Sequence, residues 1–177
     1  SHKKHIQIIK QFKPLELKLI IGVDNQKKIL LKNTINFAEG NFTNNALLWG
    51  ARGNGKSSLI KSVFNQILTS HKNLKLIQLN KNNIFDIEYI YSILGKYNHS
   101  RFIIFIDDLS FEKIDSDYKV IKSTLDGSIQ NQPTNILLYV SSNRRHLMPR
   151  DMIDNERSSA IHTDESVEEK ISLSDRF

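Results

Sequence analysis

The 177-residue sequence predicts a three-layer α/β domain built on a mainly parallel sheet. Three observations carry that expectation. Short apolar runs alternate with helix-patterned segments, as in buried parallel strands covered on both faces. The octet Gly50-Ala51-Arg52-Gly53-Asn54-Gly55-Lys56-Ser57 fits the phosphate-binding loop G-x-x-x-x-G-K-[ST] at every fixed position. The apolar run at 101–106 ends in Asp107-Asp108, at the strand end where open α/β sheets bind ligands.

The elements follow in order. Residues 1–18 read as a basic leader and 19–177 as the nucleotide-binding domain. Asp24 is placed to cap a helix over about 25–38, with Ile29, Leu30, Asn33, Ile35 and Phe37 as a partial stripe. Gly40 ends that helix, and 41–45 is a loop. Ala46-Leu47-Leu48-Trp49 is a short apolar run expected to be a buried strand. After the octet, Leu59, Ile60, Val63, Phe64 and Ile67 fall at helical spacing over 58–68. Residues 74–79 alternate like a strand. Ile84, Ile87, Tyr89, Ile90, Ile93 and Leu94 predict a helix closed near Gly95. Residues 101–106 and 136–140 are strands buried on both faces. Helices are expected over about 118–129 and 165–173, with a polar loop at 151–164.

Composition excludes several chemistries. With no cysteine there is no disulfide, thiolate ligand or thiol nucleophile. The six histidines lack metal-ligand spacing. No apolar run reaches membrane-spanning length and no signal-peptide pattern is present, so the expected location is cytoplasmic, with no membrane partner. The net charge of +6 sits in the first 32 residues, where eight lysines face only Glu16 and Asp24. A solvated, lysine-biased segment explains this better than a nucleic-acid patch does, because no arginine or aromatic cluster interleaves with the lysines.

The octet has a direct chemical reading. Glycines at 50, 53 and 55 let the backbone turn tightly and aim its N–H groups inward. Lys56 would reach the β- and γ-phosphates, and Ser57 would put a hydroxyl on Mg²⁺. The helix that follows, through Ser58, directs its positive end at the same anion. Arg52 and Asn54 complete the loop. Asp107 would hold Mg²⁺, directly or through water. Asp108 is the candidate to polarise an attacking water, although its reach is one methylene shorter than that of the more usual Glu. Asn143 ends the strand at 136–140, where a polar side chain would lie between the two other strand ends. There it could orient the water or contact the γ-phosphate.

Phosphate loop, acidic strand end and Asn-terminated strand, in that order, resemble the AAA+ ATPase superfamily of P-loop NTPases. The resemblance implies ATP/ADP and Mg²⁺ as ligands. It also implies a backbone contact to adenine from Gly22-Val23, in the string Ile20-Ile21-Gly22-Val23-Asp24. Arg176, in Ser174-Asp175-Arg176-Phe177, looks like the finger that reaches a neighbouring subunit's ATP, which implies a homo-oligomer. More narrowly, four strings are similar to a bacterial AAA+ family catalogued as domain of unknown function 815. They are Leu47-Leu48-Trp49-Gly50, Phe105-Ile106-Asp107-Asp108-Leu109-Ser110-Phe111, Ser142-Asn143-Arg144-Arg145-His146-Leu147 and Ser172-Leu173-Ser174-Asp175-Arg176-Phe177. AAA+ sheets have five core strands, and four are read here. The final core strand and the helical lid are therefore expected to lie outside this chain.

The leading functional expectation is hydrolysis of Mg·ATP, coupled to an unknown macromolecular partner. Three alternatives stay open. One is a nucleotide-gated binding module with little turnover. Another is a phosphotransferase with a small-molecule acceptor, its lid drawing on Arg144, Arg145, Arg150 and Arg157. The last is a nucleic-acid-binding ATPase that uses the lysine-rich leader.

Overall fold

The computed structural model describes residues 13–109 and 132–143. The helices expected at 118–129 and 165–173, the loop at 151–164, residues 1–12 and Arg176 lie outside the described residues.

Seven main elements follow the predicted order: α1 (Asp24–Glu39), β1 (Ala46–Trp49), α2 (Lys56–Leu68), β2 (Leu74–Leu79), α3 (Ile87–Leu94), β3 (Arg101–Ile106) and β4 (Ile136–Ser142). The four strands are all parallel, in the order β1-β4-β3-β2. β4, the last of them in sequence, pairs with β1 on one side and β3 on the other.

Alternate strand residues feed two cores, one on each face of the sheet. Ile103, Phe105, Leu137 and Tyr139 face α1 and α2, meeting Leu30, Phe37, Leu59, Ile60, Val63 and Ile67. Phe102, Ile104, Ile106, Ile136, Leu138 and Val140 face the other way, toward Ile84, Ile87, Tyr91 and Leu94. The expected three layers are therefore present. At β3 and β4 both faces are covered, which is why these strands read as unbroken apolar runs.

Some local expectations change. β1 is an edge strand among the described residues, only half-buried, with Trp49 53 % exposed. Its apolar composition gave no hint of its place in the sheet. Val23, not Asp24, occupies the N-cap of α1; Asp24 is the first helical residue and pairs with Lys27 at 3.2 Å. Its charge there still suits the positive helix end. The buried stripe of α1 is Leu30, Thr34, Phe37 and Ala38, while Ile29 points outward. In the 84–94 segment Tyr91 turns inward instead of Tyr89, and the α-helix proper is preceded by a 3₁₀ turn over Lys81–Asp86.

A C-cap closes α1, and one strand side chain ties it to the sheet. Gly40 takes φ +96° and closes the helix, its N–H and that of Asn41 both reaching back to Asn36 O. The Tyr139 hydroxyl lies 2.8 Å from Thr34 Oγ1 and 3.1 Å from Asn33 Nδ2. Thr34 Oγ1 donates to Leu30 O at 2.7 Å, so the tyrosine donates to Thr34 and accepts from Asn33. N-terminal to α1, Leu17 and Ile20 pack on the α1/α2 core, and Ser62 Oγ donates to Leu15 O at 2.6 Å.

Candidate functional site at the carboxyl ends of the strands

The parallel sheet directs the carboxyl ends of β1, β3 and β4 to one edge. The β1-β4-β3 order makes these three ends adjacent there. The segment after β1 is the glycine-rich octet, and it needs unusual backbone angles. Gly53 has φ +83° and Gly55 φ +74°, a region closed to most side chains. Gly55 is also the N-cap of α2, its carbonyl accepting the Leu59 N–H at 2.8 Å. The helix begins at Lys56, two residues earlier than the apolar spacing indicates. The first-turn N–H groups of α2 have no intrahelical acceptor and open toward the loop.

Lys56 uses all three ammonium protons within the site. They reach Gly50 O at 2.8 Å, Ala51 O at 2.9 Å and Asn143 Oδ1 at 3.1 Å. The amide of Asn143 donates in turn to Asp108 Oδ1. Asn143 therefore sits between the phosphate loop and the end of β3, as expected from its place in the sequence. Ser57 Oγ donates to Asp107 Oδ1 at 2.5 Å. This tie follows from layer packing: Asp107 continues the β3 face that looks toward α2.

Asp108 has φ +52°, the one non-glycine residue with positive φ among those described. Asp tolerates this region better than most residues. Its N–H donates to Ser141 Oγ at 2.9 Å, and Ser141 Oγ donates to Asp107 Oδ1 at 2.6 Å. Sequence reasoning passed over Ser141. Its signal was two small hydroxyl residues, Ser141 and Ser142, at the end of an otherwise apolar buried strand.

Five expected residues thus meet: Lys56, Ser57, Asp107, Asp108 and Asn143. Arg52 and Asn54 are exposed on the loop, and Ser58 lies in the first turn of α2. Gly22, with φ +79°, and Val23 stand at the start of α1. Among the described residues no hydrogen bond joins these two to residues 50–58.

One hydroxyl and one carboxylate oxygen at 2.5 Å form a hard, all-oxygen donor pair. Among the described residues no group of three or more His, Cys, Asp or Glu could hold a metal ion. A hydroxyl and a carboxylate oxygen are donors of the hard type that Mg²⁺ takes.

Comparison with known proteins places the fold. RuvB of Thermotoga maritima matches with TM-score 0.53 and 22 % identity, over 80 % of this chain and 46 % of that one. The FIGL-1 AAA domain in complex with ADP matches with TM-score 0.51 and 17 % identity, over 79 % and 52 %. The ORC1 protein of Aeropyrum pernix in complex with DNA matches with TM-score 0.51 and 14 % identity, over 73 % and 43 %. The chain spans about half the length of these structures. No curated protein matches it. The family model described as "Protein of unknown function (DUF815)" matches residues 1–177, so the chain belongs to that family, and its fold is that of the AAA+ P-loop ATPases.

Proposed function

We propose that this chain binds Mg·ATP on residues 50–58 and hydrolyses its β–γ phosphoanhydride. The convergence of Lys56, Ser57, Asp107, Asp108 and Asn143 on one end of the sheet carries this reading. The ADP bound to the FIGL-1 AAA domain, on the same fold, agrees with it.

The residues divide the work. N–H groups of 53–57 surround the phosphates, and Lys56 exchanges backbone carbonyl partners for phosphate oxygens. Its ammonium lies against the loop and Asn143, so the positive charge stands at the site before nucleotide arrives. Ser57 and Asp107 would hold Mg²⁺, which when bound neutralises charge on the β- and γ-phosphates. Asp108 is held at its main chain by Ser141 and at Oδ1 by Asn143. Its second oxygen is then available to accept a proton from water. Gly22 and Val23 are proposed to receive adenine, and Arg176 to act on a neighbouring subunit's nucleotide. Residues 19–177 form the nucleotide unit in this reading, with 1–18 a basic leader.

Calorimetry with Mg·ATP on wild type and Lys56→Ala tests the site. Binding by the wild type and none by the variant is the expected result; equal affinities refute the loop assignment. The shorter reach of Asp108 favours one second reading, a nucleotide-gated binding module with negligible turnover. Phosphate release decides between them: ATP bound without release at any protein concentration selects the module.

A further inference from the structure

Ser141 is 1 % exposed on β4, one residue past the last β3–β4 register pair, Ile106 with Val140. Where the regular ladder stops, this residue takes over. Its O–H donates to Asp107 Oδ1 at 2.6 Å, and its Oγ accepts the Asp108 N–H at 2.9 Å. Its carbonyl accepts the Leu109 N–H at 2.8 Å. Three successive residues leaving β3 therefore end on a single residue of β4. The middle one, Asp108, is the residue with φ +52°.

The two functions of the Ser141 hydroxyl are separable in chemistry and joined in space. As donor it sets the direction of the Asp107 carboxylate. As acceptor it holds the left-handed turn that brings Asp108 to Asn143. Asp107 Oδ1 accepts hydrogen bonds from both Ser57 and Ser141. If Ser57 turns its oxygen to a cation, Ser141 becomes the protein donor that keeps the carboxylate in place. Removing a group that orients a metal-binding carboxylate typically costs about 10–100-fold in metal affinity or activity.

We propose that Ser141 is the positioning residue of the acidic pair, aiming Asp107 at the Mg²⁺ position beside Ser57 and fixing the turn that presents Asp108. This inference rests on the Mg·ATP reading above. It assigns Ser141 no contact with nucleotide.

The test compares ATP affinity in Mg²⁺ with ATP affinity in EDTA for wild type, Ser141→Ala and Ser141→Thr, alongside thermal melting without nucleotide. In wild type, Mg²⁺ tightens ATP binding. In Ser141→Ala that gain falls by about tenfold or more, while affinity in EDTA stays within about threefold of wild type because the phosphate loop is untouched. Ser141→Thr keeps the hydroxyl and restores most of the gain. An unchanged Mg²⁺ gain in a folded Ser141→Ala protein overturns the inference. So does a parallel loss in EDTA, or a Thr variant that melts like wild type yet behaves like Ala. Absence of Mg·ATP binding by the wild type itself overturns the underlying reading, and this inference with it.

Discussion

Ser57 Oγ and Asp107 Oδ1 stand 2.5 Å apart, joining the first turn of α2 to the residue after β3. Fifty residues of chain separate these oxygens, and the sheet brings them together. If they act as one Mg²⁺ site, their effects are coupled. Ser57→Ala and Asp107→Asn should each weaken Mg²⁺-dependent ATP affinity by about tenfold or more. The double variant should fall short of the product of the two losses. Calorimetry in Mg²⁺ and in EDTA measures both, and strictly multiplicative losses would show two independent roles.

Gly40 closes α1 with φ +96°, and a Cβ there would lie 2.9 Å from an Arg101 guanidinium nitrogen. That guanidinium also rests 5.2 Å from the centre of the Phe37 ring. Arg101 can swing away at small cost, but the backbone angle remains. Gly40→Ala should destabilise the fold by about 1–2 kcal/mol, and Gly40→Asn by less, since Asn tolerates the left-handed region. Urea denaturation gives both values.

Tyr139 joins β4 to α1 through Thr34 and Asn33 in a buried setting. Tyr139→Phe should cost about 1–2 kcal/mol, because a buried hydroxyl loses its partner on Thr34. The same residue predicts an alkaline limb. Burial pushes its phenol up to about 12, partly opposed by the bonds to Thr34 and Asn33. Unfolded tyrosine loses its proton near pH 10, so the folded state holds the proton longer. This contribution is whole below about pH 10 and declines as the pH rises toward about 12. Burial raises the Tyr91 phenol as well, so the two limbs overlap. Urea midpoints measured across this range should fall for wild type, less steeply for Tyr139→Phe, and least when Tyr91→Phe is added.

Arg176 is proposed to act on a neighbouring subunit. If so, phosphate release per subunit rises with protein concentration, and Arg176→Ala lowers the plateau by about 10³-fold. ATP affinity should change little in that variant. A rate independent of concentration would place the stimulating charge within one chain.

Much of this was legible in the sequence because buried parallel strands leave unbroken apolar runs. The starts of all four strands, and the ends of three, match the runs. β4 alone runs on, through Ser141 and Ser142. The octet's turn was legible too, since its glycines supply the positive φ that the backbone takes at Gly53 and Gly55. What escaped depended on neighbours distant in sequence. The edge position of β1 is a property of the sheet and leaves no mark on Ala46–Trp49. Tyr91 is a different case: it faces the core because it lies four residues after Ile87 and three before Leu94, a helical spacing already present in the sequence. Ser141 looked like an ordinary strand terminus because its partners lie 33 and 34 residues upstream.

The placement of β4 between β1 and β3 sets a timetable for a growing chain. Among the described strands, β1 has no sheet neighbour until β4 arrives, and Tyr139 meets Asn33 across 106 residues. A nascent chain that has already produced the octet, α2, β2 and β3 still holds a gap in the middle of its sheet. The loop's Gly50 N–H waits for Ser142 O, and Lys56 waits for Asn143. Closing that gap carries the entropy of a long loop, which slows folding relative to local pairing. Synthesis truncated before residue 136 would leave a complete phosphate-loop sequence without the strand that shapes it.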